Sequence, residues 1–121
     1  MSEALIYKIC GAGEWRAAMQ SGVYEGSAHD ARDGFIHFST AAQAEATAAK
    51  HFAGREGLVL LAVDASALGP ALTWEPARDG DLFPHLYVPL PTSAVVTVHD
   101  LPLGPDGRHV FPPRDSDQRS S

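Results

Sequence analysis

The sequence predicts a single α+β domain. Three observations carry this: short apolar, β-branched runs that read as five or six strands, two early segments of helical period, and no internal repeat. A chain of 121 residues, 45% hydrophobic and 20% charged, has apolar material for one ordinary core. The domain is expected to span residues 1–111. A flexible tail is expected over 112–121, where the chain ends Asp-Ser-Asp-Gln-Arg-Ser-Ser.

Residues 5–9 form a first strand, with β-branched Ile6 and Ile9. Gly11 and Gly13 punctuate it, and Trp15, Ala18 and Met19 then recur at i, i+3, i+4 on a helix that Gly22 stops. Residues 23–33 are rich in Gly, Ser and Asp without periodicity and predict a long, functional loop. In the strand at 35–39, the period of two sets Ile36 and Phe38 on one face and Phe35, His37 and Ser39 on the other. Thr40-Ala-Ala-Gln43 has capping-box form and opens an alanine-rich helix to Phe52, with Gly54 as the stop.

Residues 58–64 are almost continuously apolar, as a central strand buried on both faces requires, and 65–69 predict a single helical turn. Leu72 and Trp74 alternate with Thr73 and Glu75 on a short strand that Pro76 ends, and 78–81 is a turn. Phe83, His85 and Tyr87 share a face of the next strand, where Pro84 and Pro89 predict an edge position or a bulge. Val95, Val96 and Val98 carry the last strand, over 94–99.

Nine basic residues against fifteen acidic ones give a net charge of −6, which argues against broad binding to nucleic acid or an anionic membrane. The excess lies at Glu25, Asp30, Asp33, Asp64, Glu75, Asp79, Asp81 and Asp100, offset by Arg32 and Arg78. No apolar run approaches the roughly 18 residues of a membrane span. Glu3 and Lys8 stand in the first ten residues without a long apolar stretch, so no leader is predicted and a cytoplasmic location is expected. The single cysteine, Cys10, reads as a buried, inert thiol.

Set side by side, the polar strand faces present His37, Ser39, Thr73, Glu75, His85 and Tyr87, with Phe35 and Phe83 as apolar walls. Histidine and glutamate exchange protons near neutral pH, hydroxyls orient polar ligand atoms, and aromatic walls stack planar rings, so these faces predict a ligand cleft. The competing reading makes His37 and His85 satisfied structural histidines and Glu75 a solvated strand-end carboxylate. A metal could draw on His37, His85 and Glu75, but no two histidines stand at helix-face spacing and neither HExxH nor CxxC occurs; no metal is predicted. Ser39 lacks the glycines of a nucleophile elbow, and Gly11-Ala-Gly13 lacks the third glycine of a dinucleotide fingerprint, because Arg16 stands there.

Ile6-Tyr-Lys-Ile9, Trp15, Gly22-Val-Tyr24, Asp33-Gly-Phe-Ile-His-Phe-Ser-Thr40, Gln43, Trp74-Glu75 and Phe83-Pro-His-Leu-Tyr87 together resemble bacterial domain-of-unknown-function family 952. That family resembles the ADP-ribosyltransferase-like fold, which implies a split β-sheet with two N-terminal helices and a cleft for NAD. The opening also resembles RNA 2′-phosphotransferases. The resemblance implies that His37 and Ser39 line the nicotinamide-ribose side, that Tyr7 and Lys8 face the ligand from the first strand, and that Glu75 or His85 takes the later catalytic place. The chain departs from many such transferases in offering a lysine where their first strand carries His or Arg.

The function so implied is binding of NAD or an ADP-ribose-type nucleotide, with ADP-ribosyl transfer where the domain is catalytic. NAD is then a substrate, and no resident cofactor is called for. Glu75 would hold the ribose hydroxyl and stabilise oxocarbenium charge, His37 and Ser39 would orient the ribose, Tyr87 or Phe35 would stack the base, and His85 would carry the proton. The alternatives are a non-catalytic small-molecule binding module and processing of RNA 2′-phosphates.

Overall fold

The computed structural model describes residues 5–77 and 80–112. The first strand, β1 (Leu5–Gly11), runs into α1 (Ala12–Ser21), whose first turn is tied down by the Gly11 N–H donating to Glu14 Oε1 at 3.0 Å. Gly22 ends α1 at φ 92°, a conformation that glycine adopts without steric penalty. Trp15 and Ala18 of α1 are buried, as their period demands, but Met19 is 54% exposed. The buried stripe is therefore narrower than the three apolar positions predict.

A two-residue strand, β2 (Val23–Tyr24), leads to a second helix, α2 (Ala28–Asp33), within the stretch that the sequence predicts as a loop. Six residues with no apolar stripe give no helical period, but a cap holds them. Ser27 Oγ accepts the Asp30 N–H at 3.2 Å, and the Asp30 carboxylate accepts the Ser27 N–H at 2.9 Å. Next come β3 (Ile36–His37) and α3 (Ala41–His51), which opens on the predicted box between Thr40 and Gln43.

After these follow β4 (Leu58–Asp64), 3₁₀ turns within Ala65–Ala71 that are broken at non-helical Gly69 (φ 64°), β5 (Leu72–Pro76), β6 (Leu82–Leu86), β7 (Leu90–Pro91), a short 3₁₀ turn (Thr92–Ala94) and β8 (Val95–Asp100). The described residues thus form an α+β fold of small antiparallel sheets with few helices.

The main sheet has the order β1-β4-β8, with Leu5 opposite Asp64 and Gly11 opposite Leu58. Central β4 is buried on both faces, as its composition predicts. Ile6, Cys10, Val59, Leu61 and Val63 join one core with Trp15, Ile36 and Leu86. Tyr7, Ile9, Leu58, Leu60 and Ala62 join the other with Ala44 and Ala48 of α3. Alanine at those α3 positions lets the helix lie close on the sheet.

A second sheet has the order β3-β6-β5, and a ribbon pairs β2 with β7. The two larger sheets meet where Tyr7 and Ser39 exchange backbone hydrogen bonds of 2.7 and 2.8 Å.

Strand β6 is central in its sheet, which corrects the edge position predicted from Pro84. A strand residue directs its N–H and C=O to the same neighbour. Pro84 accepts the Phe38 N–H at 3.0 Å, on the side where two-residue β3 has already ended. The missing donor therefore falls just past the β3 ladder and leaves the β5 side intact.

No helix among the described residues is long and apolar enough to cross a membrane. The expected tail lies outside the described residues from 113 onward, as do positions 78 and 79 of the predicted turn. The flanking Ala77 N–H donates to the Asp81 carbonyl at 2.8 Å.

Candidate functional site

A cleft of about 640 Å³ opens beside the Tyr7–Ser39 junction, within the size range of small-ligand sites. Strand β1 lines it along Tyr7 to Gly11, α2 contributes His29 and Asp30, and α3 contributes Thr47, Lys50 and His51. His37, Ser39, Phe83 and His85 complete the wall.

The innermost charge is Asp30, 2% exposed. Its Oδ2 accepts from Lys8 Nζ at 2.8 Å, and its Oδ1 meets His37 Nδ1 at 2.6 Å and the His37 N–H at 3.2 Å. Burial by itself would raise the Asp30 pKa. The His37 hydrogen bond, the Lys8 ammonium and the Ser27 N–H outweigh it and hold the carboxyl well below its ordinary range. The His37 ring presents Nε2 to Asp33 Oδ2 at 3.0 Å. Lys8 stands on the strand face opposite Tyr7 and is consumed by this buried pair, although it also borders the cleft.

His85 pairs with His37 across β3 and β6, and their ring centroids lie 5.5 Å apart, edge to face. Its Nδ1 meets Glu75 Oε1 at 2.7 Å, and the Tyr87 hydroxyl donates to the same oxygen at 2.7 Å. The hydrogen bond from Tyr87, then that from His85, lowers the Glu75 pKa, and the bond to Glu75 raises that of Tyr87. Phe35 stacks on the His85 ring at 4.1 Å and 22°. Two histidines on paired strands thus each have Nδ1 held by a carboxylate.

The sequence-predicted residues divide into two groups. Tyr7, Lys8, His37, Ser39 and His85 line the cleft. Glu75, Tyr87, Phe35 and Thr73 are not among the lining residues. Glu75, Tyr87 and Phe35 brace His85, and exposed Thr73 stands opposite His85 in the β5–β6 pairing. Ser39 Oγ lies 3.0 Å from Thr47 Oγ1. Arg32 does not reach the cleft wall; its guanidinium donates to His29 Nδ1 at 2.7 Å.

Several lining residues go beyond the sequence reading. Asp30 is hidden in a stretch without period, and its signal is Ser27-x-x-Asp30, a box with Asp in place of Glu or Gln. His29, Asp33 and His37 bring one ligand atom each to within 4.8 Å of one another. The His51 ring lies 6.0 Å from that of His29, and burial, then neighbouring Lys50, His29 and His37, lower the His51 pKa. Lys50 and Arg55 supply positive charge to the cleft from the far end of α3 and beyond it. Cys10 is buried, which pushes its thiol pKa up to about 12.

The family model described as protein of unknown function (DUF952) matches residues 9–98. The X-ray structure of CC0527 from Caulobacter crescentus is similar, with 50% identity, 97% of this chain and 99% of that one covered, and a TM-score of 0.84. Its solution NMR structure is 52% identical, covers 94% of this chain and 95% of that one, and has a TM-score of 0.78. No curated protein matches the chain.

Proposed function

The chain belongs to the DUF952 family, and from that premise and the geometry of the cleft we propose that it binds a nucleotide of the NAD or ADP-ribose type and acts on it through His85. One observation carries this reading: His85 stands in the cleft wall with Nδ1 fixed on Glu75 at 2.7 Å and Phe35 stacked on its ring. The Nδ1–H donates to Glu75, which leaves Nε2 as the nitrogen that takes up a proton. Two three-stranded sheets joined at the Tyr7–Ser39 bridge support assignment to the ADP-ribosyltransferase-like type of split sheet.

In the transfer so proposed, the bond from ribose C1′ to nicotinamide breaks and neutral nicotinamide leaves with the bonding pair. An acceptor hydroxyl or water then bonds to C1′, and its proton passes to His85 Nε2. His37 and Ser39 contact the ribose, while Lys50 and Arg55 supply positive charge for the pyrophosphate. Glu75 is in this reading a positioning residue, because its carboxylate is engaged by His85 and Tyr87 behind the wall. The same observation favours a second reading, a small-molecule binding module without turnover, since no carboxylate of Glu75 reaches the place where ribosyl charge would develop.

The test is thermal unfolding with one-dimensional NMR in the presence of chelator, with NAD, ADP-ribose, nicotinamide and a 2′-phosphorylated oligonucleotide as separate ligands. A ligand at about 100 times its Kd contributes roughly 2.7 kcal/mol, a rise in Tm of roughly 10 °C for a domain of this size. NAD or ADP-ribose should produce that rise, and His85→Ala should lose it. Nicotinamide release separates turnover from binding alone. No response to either nucleotide, or an equal response in His85→Ala, rejects the proposal.

A further inference from the structure

We propose that His29, Asp33 and His37 form a binding site for a divalent transition metal ion such as Zn²⁺ at the mouth of the cleft. His29 stands in the first turn of α2, Asp33 closes the helix one turn later, and Gly34, at φ 89°, turns the chain so that His37 on β3 comes back beside Asp33. With bonds of about 2.0–2.2 Å to nitrogen and oxygen, a tetrahedral ion holds its ligand atoms about 3.3–3.5 Å apart. Asp33 Oδ2 lies 3.5 Å from His29 Nε2 and 3.0 Å from His37 Nε2, and all three ligand atoms lie within 4.8 Å of one another, so shifts of about an ångström or less bring the donors to that spacing.

The backing of His37 fits the same purpose. Asp30 accepts from Nδ1 at 2.6 Å and is itself fixed by Lys8 and Ser27, the carboxylate–histidine arrangement that orients metal-bound imidazoles. With a proton on Nδ1, the neutral ring turns a lone pair at Nε2 toward an Asp33 oxygen 3.0 Å away. Two acceptors need a cation between them: a proton fits the 3.0 Å spacing as it stands, and a metal ion fits once the pair opens by a few tenths of an ångström.

Two imidazoles and one carboxylate suit Zn²⁺, Co²⁺ or Ni²⁺ rather than the all-oxygen preference of Ca²⁺ or Mg²⁺. Three protein ligands leave a coordination position open. With His29 49% and Asp33 38% exposed at the side chain, the site is reachable from solvent. One contact opposes binding: Arg32 donates to His29 Nδ1 at 2.7 Å, which places the proton of neutral His29 on Nε2. Ligation through Nε2 requires the other tautomer, so Arg32 must swing away.

Ion binding here leaves His85 untouched and is tested with metal alone, so it stands or falls apart from nucleotide binding. The full chain, stripped with chelator, is titrated with Zn²⁺ by calorimetry and with Co²⁺ by visible absorption. One equivalent should bind, with the intense d–d bands of four- or five-coordinate Co²⁺. His29→Ala, an exposed change that leaves the fold alone, and Asp33→Ala should each weaken binding by about tenfold or more, a size common for changes around metal sites. Arg32→Ala should tighten it, and His109→Gln should leave it as it is. Absence of binding to the wild-type chain, or equal affinity in His29→Ala, overturns the proposal.

Discussion

Lys8 and Asp30 form a buried ion pair between β1 and α2, with Nζ and Oδ2 2.8 Å apart and side chains only 7% and 2% exposed. Removing one partner of such a pair strands the other charge away from water, and the usual loss is about 3–5 kcal/mol. Lys8→Met should therefore lower the unfolding free energy measured by urea titration by that amount, although Met fills similar volume. A loss below about 1 kcal/mol, the typical effect of a point substitution, would show that Asp30 is satisfied without the ammonium.

The same carboxyl sets the acid limit of stability. Its folded pKa lies below the unfolded value near 3.8, so below that value the unfolded chain takes up the proton first. The stability that Asp30 contributes is full above the unfolded pKa and is lost as pH falls from about 4 toward the lower folded value. Urea unfolding of chelator-treated protein across that range should show a steep decline, and Asp30→Asn, less stable at neutral pH, should show a shallower one. Parallel acid limbs in the two proteins would assign the decline to other carboxyls.

How much of this was legible in the sequence depends on what fixed each element. Strand β4 and the start of α3 follow from a run of apolar residues and a four-residue cap, both local. The shared face of His37 and His85 follows from the period of two. Helix α2 does not, because it has no apolar stripe, its Ser27–Asp30 box carries Asp in place of Glu or Gln, and the remaining partners of Asp30, Lys8 and His37, come from β1 and β3. The site inherits the same division. His37, His85 and Ser39 are visible one strand at a time. That Lys8 is spent inside an ion pair, and that Glu75 faces His85 rather than the cleft, depends on how the strands are set beside one another.

Gly26 has a place in that arrangement. It sits at φ 100°, and a Cβ there would lie 2.9 Å from Asp30 Cβ and 3.1 Å from its Oδ2. The left-handed backbone alone costs a non-glycine residue about 1–2 kcal/mol, and the crowding adds to it. Gly26→Ala should destabilise by at least that much and disturb the amide signals of residues 30 and 37 in NMR spectra. Gly34→Ala is the control: its φ is also positive, at 89°, but a Cβ meets nothing within 4 Å, so the backbone penalty should stand alone.

Cys10 should be inert in the folded protein. Burial favours the neutral thiol, so its share of stability is full below the unfolded pKa near 9.0 and is lost as pH rises toward about 12. At pH 8, Ellman's reagent should modify it no faster than the chain unfolds, and added urea should speed the reaction. Rapid labelling without denaturant would mean that the cleft admits reagent to a thiol that the static structure encloses.

Glu75 offers the sharpest separation between fold and function. Its side chain is 36% exposed, so its removal leaves no large cavity, yet it fixes the His85 ring through Nδ1 at 2.7 Å. Glu75→Ala should keep the wild-type unfolding curve while the ¹⁵N shifts of His85 move from the Nδ1–H tautomer toward a mixture, because the acceptor that selects it is gone. Tyr87→Phe removes the other donor to the same oxygen and should leave the tautomer unchanged, since the carboxylate still accepts from His85. The nucleotide response should follow the tautomer, weakened in Glu75→Ala and preserved in Tyr87→Phe. If the His85 tautomer shifts in Glu75→Ala while ligand response is undiminished, the ring's orientation is irrelevant to binding and His85 has no part in it.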